Sequence, residues 1–142
     1  MAMRVLIPFD GSEQADNALD YAIERFGDAE LILMSVINPA ESVYLSDDEA
    51  MAPFPENWYE TARDQTQMML ERAVEARDDA LTIETDIEVG RPTRAIVEYI
   101  EEHDIDHVVM GSHGRSGVSR ILLGSVAESV IRRSPVPVTV VR

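Results

Sequence analysis

Residues 105–125 read IDHVVMGSHGRSGVSRILLGS: an apolar run, a glycine-rich segment, and a Gly124-Ser125 pair that opens a helical pattern. The apolar run predicts a buried strand, and the glycines after it allow backbone N–H groups to approach a ligand closely. A helix N-terminus adds unpaired N–H donors and a dipole that favours negative charge. This order of strand, loop and helix predicts an α/β fold with a loop that holds an anion such as phosphate.

Strand and helix patterns alternate along the whole chain. Apolar or alternating runs predict strands at 4–9, 31–37, 81–89, 106–110 and 136–141, the third of them a half-buried edge strand. Helical spacing of apolar residues predicts helices at 12–26, 58–80, 93–103 and 125–133. Residues 38–57 contain prolines and an acidic cluster, so they are predicted to be a long loop. The alternation indicates one three-layer α/β domain over residues 1–142, a parallel sheet with helices on both faces.

Two features follow the ends of predicted strands. Asp10 comes after the first strand and Gly111 after the fourth. Ligands of open α/β sheets bind beyond the carboxyl ends of the strands, where the strand order reverses. The two features therefore lie in one crevice if the first and fourth strands are neighbours.

The composition excludes several classes of function. The chain has 142 residues with no cysteine and no lysine. Without cysteine there are no disulfides, thiolate metal sites or thiol nucleophiles, and without lysine there is no Walker-A loop or Schiff base. No apolar run approaches the ~20 residues of a membrane-spanning helix. The N-terminus leads directly into a strand pattern and leaves no room for a secretory signal, so we expect a cytoplasmic protein.

The charge is unevenly distributed. The net charge is −15, which together with the absence of lysine favours a protein kept soluble at high salt. Residues 107–142 contain five arginines and a single carboxylate, Glu128, so the glycine loop lies in the segment that attracts a polyanion. A nucleic-acid partner is disfavoured, because the first hundred residues cannot form a basic face.

Three motifs resemble the universal stress protein family, and the resemblance covers essentially the whole chain. The nucleotide-binding members carry Gly-x2-Gly-x9-Gly-Ser/Thr, which this chain matches from Gly111 to Ser125 without a gap. They also begin with a strand running into Asp-Gly-Ser-Glu, found here at 10–13, and the Ser-Pro-Val-Pro-Val stretch at 134–138 is typical of the family.

The resemblance implies a Rossmann-like, five-stranded parallel sheet of order 3-2-1-4-5, with ATP between the ends of the first and fourth strands. It implies a homodimer through the last strand, 136–141, and places Asp10 near ribose or a Mg²⁺ or Mn²⁺ ion bound with the nucleotide. Arg115, between the glycines, is predicted from its charge to contact phosphate. The predicted nucleotide contacts are Pro8, Asp10, Val36, Met110, Gly111, Gly114, Arg115, Gly124, Ser125 and Val126.

The resemblance implies a role in the stress response, and with the glycine motif it favours an ATP-binding regulator. Since the residues offer no evident means of rapid hydrolysis, we expect nucleotide to act as a ligand that stabilises one conformation and so gates an unidentified protein partner. No residue is identified that would position water for hydrolysis, so no catalytic residue is predicted. Two alternatives remain open. One is a slow ATP hydrolase or nucleotidyl transferase on the same fold, and the other is a nucleotide-free scaffold that acts by dimerisation.

Several of these residues also have simpler structural interpretations. Gly111 could merely end a strand, and Asp10 could belong to an Asp-Gly turn or cap the first helix, as Ser12 could. Ser125 with Glu128 matches a capping box. His113 is interpreted as an exposed, solvated loop histidine.

Overall fold

Five parallel strands form one sheet in the order β3-β2-β1-β4-β5, in a computed structural model that describes residues 2–40, 57–77, 81–113 and 123–142. The strands are β1 (Arg4–Pro8), β2 (Glu30–Ile37), β3 (Ile83–Val89), β4 (His107–Gly111) and β5 (Val138–Val141). The helices within the same ranges are α1 (Glu13–Arg25), α2 (Trp58–Glu75), α3 (Pro92–Glu102) and α4 (Ser125–Arg133). The predicted fold class and strand order are confirmed. The predicted loop 38–57 lies mostly outside the described residues.

The sheet is covered on both faces because its central strands are apolar at successive positions. Val5 and Ile7 of β1 pack with α1 and α2 on one face, while Leu6 packs with α3 and α4 on the other. The three side chains are fully buried. Alternate side chains of a strand point to opposite faces, so a continuous apolar run is what a doubly covered strand requires.

Helix α1 begins at a side-chain cap. Ser12 is the N-cap residue, and its Oγ accepts a hydrogen bond from the backbone N–H of Ala15 at 3.1 Å. Glu13 in the first turn and Arg25 in the last complement the helix dipole. The cap fixes where the chain turns from β1 into α1, and so it fixes the position of Asp10 just before it.

Helix α2 is shorter than predicted. The sequence pattern predicts a helix over 58–80, whereas α2 ends at Glu75. The side chain of Arg77 turns back, and its Nη1 donates to the carbonyl of Ala73 at 2.9 Å. Its Nε donates to Asp20 of α1 at 3.1 Å, so the residue closes the end of α2 and ties the two helices together.

The described part of the chain contains no helix with the length and apolarity that a membrane span requires.

Candidate functional site

The crevice that the sequence predicts lies at the carboxyl ends of β1 and β4. These strands are parallel neighbours, with Val5 opposite His107 and Leu6 opposite Val108. Beyond them the chain diverges. The N–H of Phe9 donates to Met34 of β2 at 2.8 Å, whereas that of Ser112 donates to Val141 of β5 at 2.8 Å. The backbone hydrogen bonds thus turn to opposite sides, which opens the sheet at the point where its strand order reverses.

Asp10 forms the turn between β1 and α1. Its Oδ1 accepts a hydrogen bond from the backbone N–H of Ser12 at 3.0 Å, and Gly11 between them has a φ of +82°. This positive φ favours glycine. Of the two structural interpretations, the Asp-Gly turn is confirmed for Asp10, while the helix cap is Ser12. The carboxylate is half-buried beside the crevice.

Gly111 ends β4 against the first turn of α1. A Cβ built at Gly111 would lie 2.8 Å from both the backbone carbon and the Cβ of Gln14, and 3.0 Å from the backbone nitrogen of Ala15. Real Cβ atoms do not approach backbone that closely, so close packing alone explains glycine here. The consequence for the site is that the end of β4 and the start of α1 border the same crevice.

Helix α4 begins without a side-chain cap. Gly124 is the N-cap residue, and Ser125 is the first helical residue, so the predicted capping box of Ser125 and Glu128 is wrong. Glu128 instead accepts a hydrogen bond from Arg132 one turn later, at 2.9 Å. The physical reason lies in the main chain: the N–H of Gly124 donates to the carbonyl of Ser112 at 2.6 Å, which fixes the helix start one residue earlier.

The first-turn N–H groups of α4 receive no side-chain cap within the described residues. Ser125, Val126 and Ala127 occupy the first three helical positions, whose N–H groups have no acceptor within the helix. No side-chain cap bond reaches this helix end within the described residues. Such an end is suited to an anion, because the dipole and the orphan donors act together.

Three further predicted contacts share one face of the sheet. Val36, Met110 and Val126 all pack in the core beneath α3 and α4, and Pro8 ends β1. Phe9, which follows Pro8, is buried in the core on the opposite face, with α1 and α2.

The predicted contacts that lie around the ends of β1 and β4 are Pro8, Asp10, Gly111, Gly124 and Ser125. Gly114 and Arg115 lie outside the described residues.

His113 is the site residue whose surroundings the sequence does not predict. Its Nδ1 lies 3.0 Å from Oγ of the buried Ser112. Its Nε2 is buried and has no hydrogen-bond partner among the described residues. The interpretation as a fully solvated histidine is wrong, and no sequence signal distinguishes the burial of one ring nitrogen from that of the other.

No cluster of three or more histidine, aspartate or glutamate side chains that could hold a metal ion occurs within the ranges that the structure describes.

A family model described as the universal stress protein family matches residues 1–142. The chain is 33% identical over 145 residues to universal stress protein MJ0531 of Methanocaldococcus jannaschii, an alignment that covers 98% of this chain and 81% of that protein.

The fold is also that of solved members of this family. The structure of MJ0577 from Methanocaldococcus jannaschii superposes with a TM-score of 0.77 at 32% identity and covers 99% of this chain and 96% of that one. A universal stress protein solved in complex with cAMP superposes with a TM-score of 0.64 at 28% identity, and the match covers 99% of this chain and 97% of that one.

Proposed function

Because the chain belongs to the universal stress protein family, we propose that it is an ATP-binding regulatory protein of the stress response. ATP binds at the carboxyl ends of β1 and β4. It acts as a ligand that stabilises one conformation of the protein and so controls the binding of a protein partner. The observation that carries the proposal is the crevice where the backbone bonds of Phe9 and Ser112 diverge, directly beside the uncapped start of α4. The relative solved with cAMP supports an adenine nucleotide as the ligand class.

The phosphates lie at the N-terminus of α4. The N–H of Gly124 is already bonded to Ser112, so the donors to phosphate are the N–H groups of Ser125, Val126 and Ala127. Gly124 contributes by its close approach to Ser112, since a Cβ there would lie 3.0 Å from the carbonyl oxygen. Gly111, Gly114 and Arg115 complete this phosphate site in the proposal, on the strength of the glycine motif.

Asp10 is placed beside the ribose or a divalent cation. A carboxylate next to a triphosphate is repelled unless a sugar hydroxyl or a cation lies between them. Mg²⁺ fits, since it binds few protein oxygens and completes its octahedron with phosphates and water; Mn²⁺ would serve equally. Pro8, Val36 and Met110 surround the nucleoside in the same proposal.

The experiment is calorimetric titration of Mg-ATP into wild type, Ser125→Asp and Thr82→Asp at about 1 M salt, where long-range charge effects are screened. Aspartate in the first turn of a helix stabilises that helix, so a loss of binding by Ser125→Asp cannot be attributed to unfolding. Thr82 is exposed just before β3, at the opposite end of the sheet, and Thr82→Asp adds the same charge there.

We expect Ser125→Asp to weaken ATP binding by at least about tenfold, or ~1.4 kcal/mol, and Thr82→Asp to change it by less than about twofold. Equal binding by Ser125→Asp and wild type would contradict the placement of the phosphates on α4. A wild type that binds no adenine nucleotide would overturn the proposed function and leave the nucleotide-free scaffold. Incubating the bound sample and measuring ADP tests for slow hydrolysis.

A further inference from the structure

One buried polar atom near the start of α4 has no hydrogen-bond partner among the described residues: Nε2 of His113. A buried polar atom without a partner destabilises a protein, and such atoms are rare in folded chains. Because the other ring nitrogen is engaged, the imidazole is held in place and cannot easily turn to relieve the deficit.

The ring is positioned by a residue that also fixes the helix start. Oγ of Ser112 lies 3.0 Å from Nδ1 of His113, and the carbonyl of Ser112 accepts the N–H of Gly124 at 2.6 Å. A Cβ at Gly124 would come within 3.3 Å of Cα of His113. His113 therefore adjoins the end of α4 whose first-turn N–H groups lack a side-chain cap.

Two protonation states of this pair place a hydrogen on Nε2. When the Ser112 hydroxyl donates to Nδ1, the neutral ring carries its hydrogen on Nε2, and a protonated ring carries one on both nitrogens. In both of these states Nε2 is a hydrogen-bond donor that has no acceptor among the described residues. Beside a helix N-terminus the favoured acceptor is an anion.

We propose that Nε2 of His113 donates a hydrogen bond to a phosphate oxygen of the bound nucleotide. This inference rests on the proposed function and extends it. His113 favours the phosphorylated ligand over the nucleoside, because a phosphate oxygen supplies an acceptor that the described residues do not. No described residue accepts a hydrogen bond from Nε2, so the bond to phosphate contributes more to binding than an exposed hydrogen bond does.

The test compares two variants that separate the ring nitrogens. In His113→Gln the side-chain amide nitrogen takes the place of Nε2 and keeps a hydrogen-bond donor there. In His113→Asn the shorter amide takes the place of Nδ1, beside Ser112, and no donor remains at the position of Nε2. We expect His113→Asn to weaken Mg-ATP binding by about tenfold and His113→Gln by less than about threefold. Adenosine binding should be the same in wild type and both variants.

Two measurements on the same samples exclude a purely structural role. The unfolding midpoint of ligand-free His113→Asn should equal or exceed that of wild type, because the variant removes the unsatisfied nitrogen. In ¹⁵N-labelled wild type, the NMR signal of Nε2 of His113 should shift when ATP binds and remain unshifted with adenosine.

The outcomes distinguish this inference from the proposed function. If wild type binds ATP and His113→Asn binds it equally well, only the role of His113 is overturned. The same follows if His113→Asn loses ATP and adenosine binding in equal proportion, or if the Nε2 signal does not move with ATP. If wild type binds neither ATP nor any other adenine nucleotide, the proposed function fails and the inference fails with it.

Discussion

The two edge strands, β3 and β5, differ in their charge and in whether side chains cover their outward-facing backbone groups. β3 carries three carboxylates in seven residues, Glu84, Asp86 and Glu88, whereas β5 reads Val-Thr-Val-Val and carries none. Asp86 is engaged at both oxygens, since Oδ1 accepts the N–H of Ile87 at 2.8 Å and Oδ2 accepts the hydroxyl of Tyr99 at 2.8 Å.

The bond from Ile87 to Asp86 protects the outer edge of β3. The N–H of Gly90 donates to Ile37 of β2 at 2.9 Å, so by the two-residue period of a strand the N–H of Ile87 points away from β2. A side chain of the same strand thus covers an outward donor. Charged side chains and covered donors are the means by which sheets avoid pairing with another chain.

The outer edge of β5 has no such protection among the described residues. The carbonyl of Pro137 accepts the N–H of Val108 in β4, and the carbonyl of Val141 accepts the N–H of Ser112 just after β4. Backbone groups alternate in direction along a strand, so those of Val138 and Val140 point outward, away from β4. All four residues of β5 are only half-buried. We therefore propose that the homodimer implied by the family resemblance pairs through β5 and not through β3.

The largest effect we expect is on that dimer. Val140→Pro removes an outward N–H while leaving the ladder with β4 intact, and proline is tolerated on an edge strand in this orientation. If two copies pair through β5, each loses a donor, and we expect the dimer to weaken by at least about 100-fold. Sedimentation or light scattering over a dilution series in high salt measures the change.

The matched control is Thr85→Pro on β3, where the same period directs the N–H outward. It should leave the oligomeric state unchanged. Dissociation by Thr85→Pro, or a wild type that is monomeric at micromolar concentration, would contradict the comparison of the two edges.

The next effect is on stability at the protected edge. Asp86→Ala leaves the hydroxyl of Tyr99, a residue only 3% exposed, without its acceptor and uncovers the N–H of Ile87. We expect a loss of about 2 kcal/mol in the free energy of unfolding, measured with urea. The double variant Tyr99→Phe/Asp86→Ala should lose less unfolding free energy than the two single variants lose in sum, because the two residues share one hydrogen bond. Additive effects would show that the bond contributes nothing.

The sequence predicts these edges unequally well. The alternation in 81–89 identifies β3 as a half-buried edge strand, because its polar positions recur with the period of a strand. The position of β5 at the other edge comes with the family's strand order, since nothing in the residues of 136–141 determines the neighbour. The covered N–H of Ile87 is invisible in sequence, because it depends on which way a backbone group points.

The candidate site shows the same division. The spacing of Gly111, Gly124 and Ser125 predicts the loop and helix start, and the bounds 125–133 of α4 agree with the structure. The capping box failed because a tertiary bond from Gly124 to Ser112 moves the cap by one residue. The buried nitrogen of His113 could not be predicted, because the burial of one ring nitrogen depends on how the side chain is oriented in the folded chain.

The smallest effect concerns acid stability beside the unprotected edge. Nε2 of His107 in β4 lies 2.7 Å from Oγ1 of Thr139 in β5, and the ring packs 4.9 Å from that of Phe26. Burial lowers the pKa of the His107 imidazole below its ordinary value of 6.5. The unfolded chain therefore takes up this proton at a higher pH than the folded one does.

The sign of the effect follows from that difference in proton uptake. His107 has no effect on the pH dependence well above pH 6.5, and stability falls as the pH drops below 6.5 toward the lowered pKa of the folded state. The loss should be small, since the group is only partly buried and solvent screens its charge. His107→Gln keeps an amide for Thr139 but does not titrate, so urea unfolding at fixed protein concentration should show a flatter profile between about pH 5 and about pH 8. If the variant and wild type lose stability in parallel on acidification, the acid sensitivity comes from residues other than the β4–β5 contact.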